Sequence, residues 1–289
     1  MQTTSLNQTI FHLTLCKGIG ATSRIRMLSS LIDNPYLSAY DLASCAQLNS
    51  TNTKLFMESF AAVHLEEAIE EYQKRQIKWV TILDQDYPEY LKHIYNPPAL
   101  LFYQGDLTLL NEKLLAIVGS RLNSTYGTKV LSFLLPELIS HDVITVSGLA
   151  KGIDREVHKK TIKLGGRTIG IIGTGLDQYY PFENEKLQKE IARNHLLLSE
   201  YPLGTKPLKQ HFPMRNRIIA GLSLGALVIE AKYRSGSLIT ANLALQEGRE
   251  VFAVPGDITN PYSEGTNDLI LNGAKCVLKA EHILEELTS

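Results

Sequence analysis

The chain has 289 residues, 44% of them hydrophobic and 20% charged, with a net charge of −1. That is the composition of an ordinary globular protein with room for a large α/β domain and a smaller one, and its overall charge gives no sign of nucleic-acid binding. No apolar run approaches the roughly eighteen residues of a membrane span, and the residues after Met1 lack the basic-then-apolar layout of a signal peptide, so no membrane association and a cytoplasmic location are expected.

The first 76 residues hold no strand-like run and predict a small all-helical domain. Within it, Leu13 to Leu28 reads as a helix-hairpin-helix: Gly18 and Gly20 make the tight turn, and Thr22 or Ser23 caps the following helix. Such a hairpin serves either to offer backbone N–H groups to phosphates or simply to pack helices. The first β-like segment starts at Ile77, so the boundary is placed there and the second domain covers 77–289. A connector follows, with a short helix over 87–94 and a strand over 99–103. From residue 114 the pattern alternates. Strands are predicted at 114–118, 143–147, 168–172, 196–199, 226–230, 250–254 and 275–278. Helices are predicted at 124–140, 154–164, 185–193, 237–248, 264–272 and 280–287. Runs of four or five Val, Ile and Leu residues are the mark of strands buried on both faces, and their alternation with helices predicts a doubly wound, mostly parallel sheet. The three cysteines, Cys16, Cys45 and Cys276, have neither a disulfide nor a zinc spacing and are expected to be buried thiols.

Loops after four strands carry glycine, small hydroxyls and basic residues: Gly119, Ser120 and Arg121; Ser147, Gly148, Lys151 and Gly152; Gly173, Thr174 and Gly175; Lys232, Ser235, Gly236, Ser237 and Thr240. In an open parallel sheet these loops converge on one rim, where glycine N–H groups and cations favour an anion. The charge distribution agrees. Between Tyr201 and Arg234 there are six cations (Lys206, Lys209, Arg215, Arg217, Lys232 and Arg234) against one acid, Glu230, a local balance of +5. Arg215 and Arg217 are expected at the opening of an apolar helix, where positive charge is unfavourable without an anion to face. There is no Walker A pattern and no G-x-G-x-x-G, and no nucleophile stands beside a plausible base. Asp154 and Glu230 read as caps or ion-pair partners. No metal site and no cofactor are expected.

The helices over 237–248 and 264–272 carry more apolar residues than one packing stripe requires. The surplus, exemplified by Leu245 and Ile270, is expected to meet its copy across a two-fold axis.

The ordered set Ile117 to Arg121, Val146 to Asp154, Gly173 to Asp177, Tyr180-Pro181, Ser199 to Tyr201, Phe212 to Gly221 and Glu230 to Thr240 resembles the DNA-processing protein A family (DprA, also called Smf). The resemblance implies an extended Rossmann-like domain after a small helical one. It also implies a homodimer without catalytic activity that binds single-stranded DNA and loads the RecA recombinase on it during natural transformation and recombination. On that basis Lys209 and Asn216 join the loop residues above as expected DNA contacts. Phe182-Glu183 stands where relatives can carry a basic residue, so no phosphate contact is assigned there. The nearest enzyme reading is a nucleoside-monophosphate phosphoribohydrolase of the lysine-decarboxylase-like group. It is suggested by the first loop and by the stretch from Pro255 to Asp268, where Asp257 replaces a required glycine.

Overall fold

The computed structural model describes residues 2–287, with side chains from Leu6 onward. They form two compact units: residues up to Tyr103 together with Glu200–Pro202, and Gln104–Ser199 together with the residues from Leu203.

The first unit begins with the helices α1 (Gln2–Leu15), α2 (Ala21–Asp33), α3 (Ala39–Cys45), α4 (Ser50–Ala62) and α5 (Leu65–Lys74). The expected hairpin joins α1 to α2. Gly18 has φ +79°, and a Cβ there would stand 2.6 Å from the Asn52 carbonyl oxygen, so the turn needs glycine both for conformation and for space. The cap differs from expectation. Helix α2 starts at Ala21, with Gly20 at its N-cap and no side-chain cap bond, so Thr22 and Ser23 lie inside the first turn and neither caps it. Leu13, Met27, Leu31, Leu42 and Phe56 form this unit's core. Beyond α5, β1 (Lys78–Thr81) pairs antiparallel with β2 (Leu100–Gly105), the short helix α6 (Glu89–Lys92) lies between them in sequence, and Trp79 stacks on Phe11 at 4.3 Å. Of the cysteines expected to be buried, Cys16 is; Cys45 is exposed and Cys276 half-buried.

The second unit is built on β3 (Lys113–Val118), β4 (Val143–Ser147), β5 (Thr168–Ile172), β6 (Leu196–Ser199), β7 (Gly225–Val228), β8 (Glu250–Ala253) and β9 (Lys275–Cys276). Their order is β6-β5-β4-β3-β7-β8-β9, and each pairing is parallel. The connecting helices are α7 (Thr125–Ser140), α8 (Ile153–Lys163), α9 (Glu185–Asn194), α10 (His211–Leu222), α11 (Gly236–Gln246) and α12 (Glu264–Leu271), and α13 (Glu281–Leu287) closes the chain. Leu115 and Ile117 of β3, with Leu227 and Phe252, face Leu131 and Leu135 of α7, Val157 of α8 and Ile283 of α13. Side chains alternate across a strand, so Val118 looks the other way, onto Ile219 of α10 and Thr240 of α11. Helices therefore cover both faces, as the uninterrupted apolar strands require. Among the described residues no helix is long and apolar enough to cross a membrane.

Candidate nucleic-acid interface

The chain runs outward from β3 through β4 and β5 to β6, then returns to place β7 on the other side of β3. The reversal lies between β3 and β7. There the loops after the two strands diverge to opposite faces and leave a crevice at the strand carboxyl ends. The first loop is tightly laced. The Ser120 amide donates to the Glu230 carbonyl oxygen at 2.9 Å, and the Ser120 carbonyl accepts from the Ile153 amide at 3.0 Å. Gly119 is held against Ile153, whose Cγ1 would be 2.7 Å from a Cβ, and Gly152, at φ +77°, abuts the Ser120 carbonyl. The Glu230 carboxylate, itself buried, accepts from the Ser124 amide at 2.8 Å and the Ser124 hydroxyl at 2.6 Å. It ties β7 to the start of α7, a structural anchor as its position suggested.

Out of this fixed loop comes Arg121. Its side chain is exposed, its guanidinium lies 5.8 Å over the Phe212 ring, and among the described residues no carboxylate pairs with it. Lys151 is exposed too, but its Nζ is 2.7 Å from Oε1 of Glu183. Lys232 covers the Tyr262 ring at 4.5 Å. Helix α11 begins beside it: Ser235 and Ser237 share a hydroxyl–hydroxyl bond of 2.6 Å, and the Asn216 amide reaches the Gly236 carbonyl at 3.4 Å.

Arg215 and Arg217 lie elsewhere than expected. Helix α10 starts at His211, one turn earlier than the Arg-x-Arg pair, and carries both side chains inward, where they are 4% and 7% exposed. The Arg215 guanidinium donates to the carbonyls of Gly148 and Ile171, closing the ends of β4 and β5, and a Cβ on Gly148 would collide with it. Asp154 is buried next to this group. Burial pushes its carboxyl above the usual aspartate value, against the pull of Arg215 and of the backbone N–H groups around Ala150. An acid buried in this way beside Arg215 and bonded to its own loop is a structural partner, not a free base.

The structure brings Gly119, Ser120, Arg121, Arg215, Asn216, Lys232, Ser235, Gly236 and Ser237 around one cavity of about 390 Å³. A neighbouring cavity of about 70 Å³ adds Gly148, Lys151, Gly173 and Thr174, with Arg121, Phe212 and Arg215 walling both. Other expected residues are not at these walls. Ser147 is fully buried, its hydroxyl bonded to the Ile117 carbonyl at 2.7 Å. Gly175 donates its amide to the Thr205 carbonyl at 3.0 Å, Lys209 is exposed on the approach to α10, and Arg217 is inside. Two aromatic residues in the site were not among the expected contacts. Phe212 and Tyr180 sit with centroids 5.4 Å apart and both line the smaller cavity. The signal was an aromatic within the basic segment and another just after a glycine loop.

The sequence pattern of the family described as DNA recombination-mediator protein A matches residues 78–288. The chain is 50% identical over 217 residues to the DNA processing protein DprA of Bacillus subtilis, covering 75% of this chain and 73% of that one. It is 46% identical over 246 residues to that of Streptococcus pneumoniae, covering 85% and 84%. The crystal structure of the S. pneumoniae protein superposes with a TM-score of 0.89 at 42% identity, covering 97% of both chains. A Helicobacter pylori DNA processing protein A, studied for its single-stranded-DNA binding mode, superposes with a TM-score of 0.67 at 30% identity over 74% of this chain and 96% of that one. An α/β unit with its crevice at the β3–β7 reversal, together with these matches, shows that the chain belongs to the DNA recombination-mediator protein A (DprA) family.

Proposed function

We propose that the rim above β3 and β7 binds single-stranded DNA through its phosphates. We further propose that the protein, acting as a homodimer and catalysing no reaction, delivers that strand to a RecA recombinase in recombination and natural transformation. Arg121 carries this reading: a fixed loop presents an exposed guanidinium with no acid partner among the described residues, against an aromatic ring. Lys151, Lys209 and Lys232 extend the cationic track, and Asn216, Ser235, Gly236 and Ser237 donate beside it, next to the loop that Ser120 holds in place. Phe212 and Tyr180 offer π-faces to bases, which only an unpaired strand exposes. Gly119, Gly148, Gly173, Thr174 and Arg215 shape the floor, with Ser147, Gly175 and Arg217 as support away from its walls. The H. pylori relative, described for single-strand binding, supports the choice of ligand.

The test is a titration with single- and double-stranded oligonucleotides at several salt concentrations. Single strands are expected to bind more tightly, with affinity falling steeply as salt rises because phosphate neutralisation releases counterions. Equal affinity for the two forms, or a flat salt response, would overturn the reading.

For the dimer, Leu245 is 66% exposed on α11 and Leu271 86% exposed on α12, and Ile270 is half-buried. A chain with both Leu245→Arg and Ile270→Arg is expected to elute as a monomer where the parent elutes as a dimer. Folded double mutant at the parent's size refutes this interface.

A further inference from the structure

The two exposed cations that flank the smaller cavity are not alike. Arg121 has no carboxylate partner among the described residues, whereas Lys151 is bonded to Glu183 at 2.7 Å, with both side chains more than half exposed. This contact is held in place. Glu183 belongs to a single 3-10 turn, Phe182–Asn184, and its neighbour Asn184 is buried and donates to the Leu149 carbonyl at 2.7 Å, on the same loop as Lys151. The turn is thus clamped to the β4–α8 loop, and the carboxylate stays within reach of the ammonium. Lys151 in turn keeps the Glu183 carboxyl below the usual glutamate range, so that carboxylate is charged at neutral pH. An exposed pair of this kind is weak and exchangeable.

We propose that Glu183 sets the affinity and salt response of the rim: it neutralises Lys151 in the free protein and has to yield it when a strand phosphate arrives. The inference rests on the reading of Lys151 as a phosphate contact. It makes Glu183 a positioning residue that acts through Lys151, and it predicts a gain on its removal.

The experiment compares single-strand titrations of the parent, Glu183→Gln, Lys151→Gln and the double variant over a range of salt. Glu183→Gln is expected to bind roughly two- to fivefold more tightly at low salt, from the strength of an exposed pair. Its log–log salt slope should steepen by up to about 0.7, because the counterion released from the phosphate at Lys151 is then not offset by one taken up on a freed Glu183 carboxylate. A purely structural contact would leave that slope alone. Lys151→Gln should bind more weakly than the parent, and Glu183→Gln added to it should no longer steepen the slope. If Lys151→Gln weakens binding while Glu183→Gln leaves affinity and slope at parent values, the inference falls and the site stands. If Lys151→Gln binds like the parent, Lys151 is off the phosphate track and both fall.

Discussion

Arg121→Ala is expected to weaken single-strand binding roughly ten- to hundredfold with no change in melting temperature. The estimate is that of one charge-assisted hydrogen bond to a phosphate, about 1.5–3 kcal/mol. The side chain is exposed and pairs with no carboxylate among the described residues, and its guanidinium lies 5.8 Å over the Phe212 ring centroid. The loss should be the same for all base sequences, because a phosphate contact positions the strand and reads no base. The measurements are fluorescence anisotropy on several oligonucleotides and a thermal melt of the same preparation. A variant that melts early but binds normally while folded would make Arg121 a strut, contrary to the geometry.

Arg215→Ala should do the reverse. This arginine is one turn into α10 and buried, with its guanidinium closing the carbonyl ends of β4 and β5 beside Asp154. Truncation strands two carbonyls and leaves the acid without its cation. Breaking a buried charged contact of this sort costs about 3–5 kcal/mol, which in a domain of this size lowers the melting temperature by roughly 6–20 °C. Arg215→Lys should recover only part of the loss, since an ammonium lacks the planar fork that spans two acceptors. Urea unfolding of the three proteins side by side decides it; an alanine variant as stable as the parent would show that the strand ends need no such clasp. The two arginines differ in sequence only by context, yet one is expected to act on the ligand and the other on the fold.

Much of the architecture was legible because the code for it is local. The apolar runs at β3, β4, β5 and β7 could be buried only on both faces, and their alternation with amphipathic helices left a parallel sheet with covered faces as the solution. The glycine loops marked the strand ends, whereas the anchoring of Ser124 by Glu230, 106 positions away, was not written in the sequence. The ordered motifs carried the family as well, since they preserve both residue types and spacing.

The roles of individual cations were decided only in three dimensions. Arg121, Lys151, Arg215 and Arg217 all read as rim cations, because charge and proximity to a glycine turn are properties of sequence. Whether a guanidinium meets water or a carbonyl depends on the phase of its helix and on what the next strand end presents. Beginning α10 at His211 turned Arg215 inward, onto the carbonyls of Gly148 and Ile171, some 67 and 44 positions away in the chain. The pairing of Lys151 with Glu183 likewise spans 32 positions and exists because Asn184 clamps one loop to another. The sequence by itself determined the sheet, its rim and the excess of positive charge there. Tertiary structure alone decided which of those charges remain available to an anion, because partners for a buried or neutralised charge come from distant segments that no local pattern records.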